Sequence, residues 1–248
     1  MRIEQIYTGC LAQGAYYIVS GNEAVIIDPL REVEPYLARL KEDGVTLKYI
    51  FETHFHADFV SGHVDLAKKT GAKIIFGPGA ETNYEIHSAK DNEEFNLGNI
   101  IIKVLHTPGH TLESSTFLLI DENGKEHAIF SGDTLFLGDV GRPDLAIKSD
   151  LTKEDLAGML YDSLRNKIIP LPDDVIVYPA HGEGSACGKN LSKEKFLMYQ
   201  SAFLKLHEDS LGLSILEKLG IDKFTIVDES IYKSVFSLKE LIEYEQVK

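Results

Sequence analysis

"ETHFHADFVSGH", residues 52–63, decides how the rest of the chain is read. His54, His56 and Asp58 stand on alternate positions just after the buried-looking run "LKYIFET" (47–53). The small residues Ala57, Ser61 and Gly62 lie among them or close by. A rigid strand that empties into a loop of imidazoles and a carboxylate can fix metal ligands in space. Phe59 is then the odd letter. A phenyl ring directly follows the last polar donor of the cluster.

Working outward, the same arrangement recurs three times. "HTPGHT" (106–111) places His110 on a turn shaped by Pro108 and Gly109. "SGDT" (131–134) offers Asp133, and "YPAHG" (178–182) offers His181. Each follows an apolar run, so four strand ends carry His or Asp, where sites are commonly built. His54, His56, Asp58, His110, Asp133 and His181 are the candidate metal ligands. His63, His87, His106, His127 and His207 lack such a context and read as ordinary surface or core histidines.

The periodicity between these loops alternates strands with helices. "YYIVSG" and "EAVIIDP" read as strands joined at Gly21-Asn22, and "AKIIFGP" as another. "NIIIKVLHTP", "STFLLID" and "HAIFSGD" are further strands, the last two joined through Glu122-Asn123-Gly124. "REVEPYLARLKEDG" reads as a helix ended by Gly44, and "SGHVDLAKKTG" as one capped by Ser61 and stopped by Gly71. "TKEDLAGMLYDSLRNKI" carries Thr152 and Asp155 as a capping box and an apolar stripe at Leu156, Met159, Leu160 and Leu164. "DDVIVYPAHG" is a buried strand. Beyond Ser192 the sequence reads as mostly helical, with a strand candidate at "KFTIVD".

The chain has 248 residues, 44% apolar and 26% charged, enough for a sizeable core. Its net charge of −14 and lack of a basic run speak against nucleic acid and anionic membrane as partners. No apolar run approaches spanning length, and the N-terminus lacks a signal-peptide core. A cytoplasmic protein with free thiols at Cys10 and Cys187 is expected. Cys10 reads as core.

"THFHAD", "HTPGHT", "SGDTLF" and "YPAHG", in this order, resemble the metallo-β-lactamase superfamily. The resemblance covers residues 1 to about 190. It implies an α/β (α+β) fold, a four-layer αββα sandwich with the metal site at one edge of two sheets. Residues 1–190 would form the catalytic domain. Residues 191–248 would form a helical C-terminal extension packed on it. "FSGDTLFLGDVGRPDL" (130–145) and "YPAHGEGSACGK" (178–189) further resemble the persulfide dioxygenases, especially a bacterial group often fused to rhodanese. No complete rhodanese domain is expected in residues 191–248, which contain no cysteine.

That resemblance implies one Fe(II) per chain held by His54, His110 and Asp133, while His56 need not coordinate. It implies a small-molecule persulfide and O2 as reactants, with sulfite and a thiol as products. Arg142 in "VGRPD" matches an arginine of the family motif; its other reading is an ion pair with Asp139 or Asp144. Thr111 is placed to steady the His110 loop. Cys187 is either a thiol that exchanges sulfur with substrate or a buried, inert one. The same loops also resemble binuclear hydrolases such as glyoxalase II, whose pattern H-x-H-x-D-H puts a histidine where Phe59 stands. A thioester hydrolase using Zn(II) is therefore the alternative. Phe59 offers no lone pair and argues for a single ion. A homo-oligomer stays open.

Overall fold

In the computed structural model, residues 1–144, 151–185, 187, 191 and 197–198 are described. The strands flanking the quoted loop build one sheet and those carrying His110, Asp133 and His181 build another. The first contains β1 (Arg2–Thr8), β2 (Gln13–Ser20), β3 (Glu23–Ile27), β4 (Thr46–Phe51), β5 (Lys73–Phe76) and β6 (His87–Ser88), in that spatial order. β1 to β3 are antiparallel neighbours, and β3 to β6 are parallel. The second contains β7 (Glu94–Leu97), β8 (Ile100–His106), β9 (Ser115–Ile120), β10 (Glu126–Gly132), β11 (Ile176–Pro179) and β12 (Leu197–Met198), also in chain order across the sheet. Only its β10–β11 pair is parallel.

Helices cover both outer faces, which gives the four layers expected. α1 (Glu34–Asp43) and α2 (His63–Thr70) lie on the first sheet, and α3 (Lys153–Ser163) on the second. Three apolar clusters fill the gaps between layers. Ile18, Val25, Ile27 and Phe51 of the first sheet meet Ile102, Val104, Phe117 and Phe130 of the second. Tyr36, Leu40 and Leu66 cover Tyr17, Ile26, Ile50 and Ile74. Leu160 and Leu164 cover Leu105, Leu118, Ile129 and Val177. Successive residues of β2, Tyr17 and Ile18, thus face different clusters. That is why strands here are apolar on both faces: helices and the partner sheet each need a dry surface.

The helix signals resolve in detail. Thr152 and Asp155 form the capping box, and Gly44 and Gly71 close α1 and α2 in the left-handed region at φ 66° and 77°. α2 is capped by Gly62 rather than Ser61, whose hydroxyl donates to the Glu52 carboxylate and also lies 2.9 Å from Pro29 O. The helix after Thr152 ends at Ser163 and continues as a π-helical turn, Leu164–Ile168. Gly109 explains how closely α3 docks. At φ 142°, a Cβ there would fall 2.4 Å from Leu160 Cβ. Among the described residues no helix is long and apolar enough to cross a membrane. The helical extension expected over residues 191–248 and His207 lie outside the described residues, apart from residue 191 and β12.

Candidate metal centre

Each donor sits just past the end of a strand: His54 after β4, His110 after β8, Asp133 after β10 and His181 after β11. All four residues are buried. Cross-sheet hydrogen bonds hold these ends together. Ser115 N donates to Thr53 O at 2.8 Å, and Gly14 N to Ala180 O at 2.8 Å. Phe55 N donates to Glu113 Oε1, which also accepts from Thr111 Oγ1, so Thr111 does steady the His110 loop.

The tautomers of both histidines follow from their partners. His110 Nδ1–H donates to the Arg142 carbonyl at 3.0 Å, since a carbonyl can only accept. Gly141 permits this approach; a Cβ there would lie 1.8 Å from Asp133 O. His54 Nδ1–H donates to Thr53 Oγ1 at 3.0 Å, and that hydroxyl donates to Asp28 Oδ2 at 2.8 Å. Both Nε2 lone pairs are left to face the centre, as metal-binding imidazoles require.

What they face is Asp133 Oδ2. It lies 3.4 Å from His110 Nε2 and 3.8 Å from His54 Nε2. This oxygen is buried and has no hydrogen-bond partner among the described residues. Charge-assisted hydrogen bonds are shorter, ~2.7–2.9 Å. Ligand atoms around an ion with ~2.1 Å bonds stand ~3–3.4 Å apart. The 3.4 Å pair fits that window and the 3.8 Å pair stands slightly wider, and both are too long for charge-assisted hydrogen bonds. Burial pushes His54 well below its ordinary imidazole value, which keeps it neutral. Burial alone would raise Asp133, but His181, His54 and His110 outweigh it and hold the carboxyl well below its usual range.

His181 behaves differently. Its Nδ1 lies 2.8 Å from Asp133 Oδ1 and its Nε2 2.9 Å from Asp58 Oδ2. Those are hydrogen-bond lengths. Burial lowers the His181 pKa, yet the carboxylates Asp133 and Asp58 prevail and lift it to about 10. Cys187 Sγ completes a group with Asp58 and His181 in which the donor atoms lie within 4.8 Å. The thiol is buried, and burial together with the Asp133 carboxylate pushes it up to about 12. Cys10, expected in the core, is exposed; it follows Gly9 in the turn after β1, where no layer covers it.

His56 packs against His54, ring centroids 4.2 Å apart, but its Nε2 meets carboxylates other than Asp133. Its ring stacks on Phe59, with centroids 4.2 Å apart at 30°. Its Nε2 lies 3.2 Å from Asp28 Oδ1 and 3.4 Å from Glu52 Oε2. Asp28 and Glu52 were not among the expected site residues. Their signal is a carboxylate closing each apolar run, "VIID" and "YIFE", where burial demands a partner. His63, read as an ordinary histidine, places Nδ1 3.1 Å from Glu52 Oε1 and Nε2 2.7 Å from Tyr84 OH. The Arg142 side chain is exposed and pairs with Asp144 at 2.6 and 2.7 Å. Its carbonyl is what the His110 ring bonds to.

Fold and donor arrangement together define the class. The chain belongs to the metallo-beta-lactamase superfamily, which it matches over residues 8–181. Its curated relatives carry two different activities. It is 35% identical over 163 residues to a probable hydroxyacylglutathione hydrolase of Schizosaccharomyces pombe, covering 64% of this chain and 59% of that one. It is 34% identical over 162 residues to the mitochondrial persulfide dioxygenase ETHE1 of Homo sapiens, again covering 64% and 59%. The chain thus spans about three fifths of the length of these relatives. A solved metallo-beta-lactamase of Staphylococcus aureus superposes with a TM-score of 0.75 at 33% identity, covering 95% of this chain and 72% of that one.

Proposed function

We propose that this chain is a mononuclear non-haem Fe(II) persulfide dioxygenase, acting in the cytoplasm on a low-molecular-weight thiol persulfide. The observation that carries this reading is the free triad of His54, His110 and Asp133, with Phe59 in the place of a second-metal histidine. Two imidazoles and one carboxylate suit Fe(II) with coordination positions left for reactants. When bound, the iron supplies the redox chemistry that lets sulfur and O2 react. In balance, one persulfide R–S–SH, one O2 and one water give R–SH, sulfite and two protons.

The chain's own groups prepare that reaction. Thr53 and Arg142 O fix the two imidazoles in the tautomer that presents Nε2. Burial keeps His54 neutral, and the surrounding histidines keep Asp133 ionised. The Phe59 ring contributes an apolar wall suited to a large, weakly hydrated sulfur atom. Anaerobically iron-loaded protein should consume O2 and release sulfite with glutathione, coenzyme A or bacillithiol persulfide. No uptake with any of them would refute the reading.

One observation favours the second reading, a thioester hydrolase. Asp58, His181 and Cys187 stand together beside the triad. Cys187 could there supply the ligand that Phe59 does not. Two ions would then activate water against a thioester. Hydrolysis of S-lactoylglutathione by zinc-loaded protein, without any oxygen uptake by the iron-loaded form, would establish it.

A further inference from the structure

We infer that the chain holds a second divalent-cation site, formed by Asp28, Glu52 and His56 beside the first, the rings of His54 and His56 lying 4.2 Å apart. It rests on the dioxygenase reading, in which the triad takes one ion and Cys187 takes none. The donor atoms of these three residues lie within 4.8 Å of one another. His56 Nε2 is 3.2 Å from Asp28 Oδ1 and 3.4 Å from Glu52 Oε2. These separations match the ~3–3.4 Å edge between ligands of one ion with ~2.1 Å bonds. They exceed the lengths of charge-assisted hydrogen bonds.

The imidazole itself points the same way. The His56 side chain is 2% exposed, and neither ring nitrogen has a hydrogen-bond partner among the described residues. His181 shows what a buried imidazole held by two carboxylates looks like when hydrogen bonds do the holding: 2.8 and 2.9 Å. His56 instead repeats the pattern of the first centre, with an unpartnered buried donor and ligand-edge spacing.

The remaining carboxylate oxygens are already occupied. Asp28 Oδ2 accepts from Thr53 Oγ1, and Glu52 Oε1 accepts from Ser61 Oγ and lies near His63 Nδ1. Oδ1 and Oε2 are the atoms left to face His56, although Oδ1 also accepts from Thr53 N. The backbone at Asp28 takes φ 49°, an uncommon conformation for a residue with a side chain. That conformation accompanies a carboxylate turned inward. The His56 ring is packed between Phe59 and His54, with centroids 4.2 Å from each.

An ion has a route in. A cavity of about 510 Å3 is lined by Glu52, His54, His56, Phe59, His63 and Tyr84, so it borders both centres. Water from it can complete the coordination shell. Two carboxylates and one imidazole suit Zn(II), Mn(II) or Fe(II). The ion's charge offsets a pair of buried anions that otherwise share one imidazole.

Chelator-stripped protein titrated with Zn(II) should bind two equivalents per chain. Glu52→Gln and His56→Gln should each bind one, Asp133→Asn should bind one, and Asp58→Asn should still bind two. Loading with Co(II) provides a check on unsubstituted protein. Two equivalents should bind with no thiolate-to-cobalt charge-transfer band, because neither site contains sulfur. A single equivalent in the parent overturns the inference and leaves His56 as an imidazolium between two anions. A charge-transfer band with the second equivalent, or its loss in Asp58→Asn but not in Glu52→Gln, overturns it too and assigns that ion to Asp58, His181 and Cys187.

Discussion

Thr53→Val removes one oxygen atom and tests whether the first centre depends on groups that never touch the ion. Thr53 is 1% exposed, and its hydroxyl is shared by His54 Nδ1 at 3.0 Å and Asp28 Oδ2 at 2.8 Å. Valine keeps the shape, so no cavity follows. His54 Nδ1–H loses its acceptor and Asp28 Oδ2 loses its donor, both in the interior. Each buried unsatisfied group costs about 1–3 kcal/mol. Apo-protein should therefore lose about 2–6 kcal/mol in urea unfolding. Releasing His54 from its tautomer lock should also weaken metal binding at the triad by about 10–100-fold. Chelator competition on freshly loaded protein measures the second effect separately from the first. An apo-stability within about 0.5 kcal/mol of the parent, with unchanged metal affinity, would refute the relay from Asp28 to His54.

On the dioxygenase reading, His54→Ala, His110→Ala and Asp133→Ala should each release most of the iron loaded at the triad and abolish oxygen uptake. His56→Ala should retain that iron; equal loss would favour a three-histidine site. Phe59→His should raise zinc stoichiometry by one equivalent over the parent and lower dioxygenase activity; an unchanged count would reduce Phe59 to packing against His56. Cys187→Ser should lower persulfide turnover at constant iron content if the thiol relays sulfur. Unaltered kinetics across several persulfides would leave it a structural residue.

The strand ends that carry the donors were legible because their signals are local. An apolar run, a turn residue and a His or Asp lie within a few positions of one another in each case. The Thr152–Asp155 capping box is local in the same way. β1, "RIEQIYT", was not read as a strand, because its residues are only partly buried at a sheet edge and mix polar with apolar. β7 is an edge strand of four residues and equally quiet in sequence. The cluster of Asp28, Glu52 and His56 was invisible for another reason. Adjacent strands β3 and β4 bring Asp28 beside residues 24 to 28 positions away, and a side-chain rotamer decides where His56 points. Spacing alone assigns His56 to the same loop as His54 without saying that the two Nε2 atoms meet different carboxylates.

The triad draws on both sheets. His54 leaves the first, while His110 and Asp133 leave the second. An ion there acts as a rivet through the two halves of the sandwich, because neither half alone owns a complete set of ligands. Separating the sheets and releasing the ion then become one event. A tightly bound ion at 100 times its dissociation constant adds about 2.7 kcal/mol to the folded state. Loss of metal in a cell starved of it would thus loosen the seam along which the two sheets meet, and turnover of the empty protein would track its metal supply as well as its sequence.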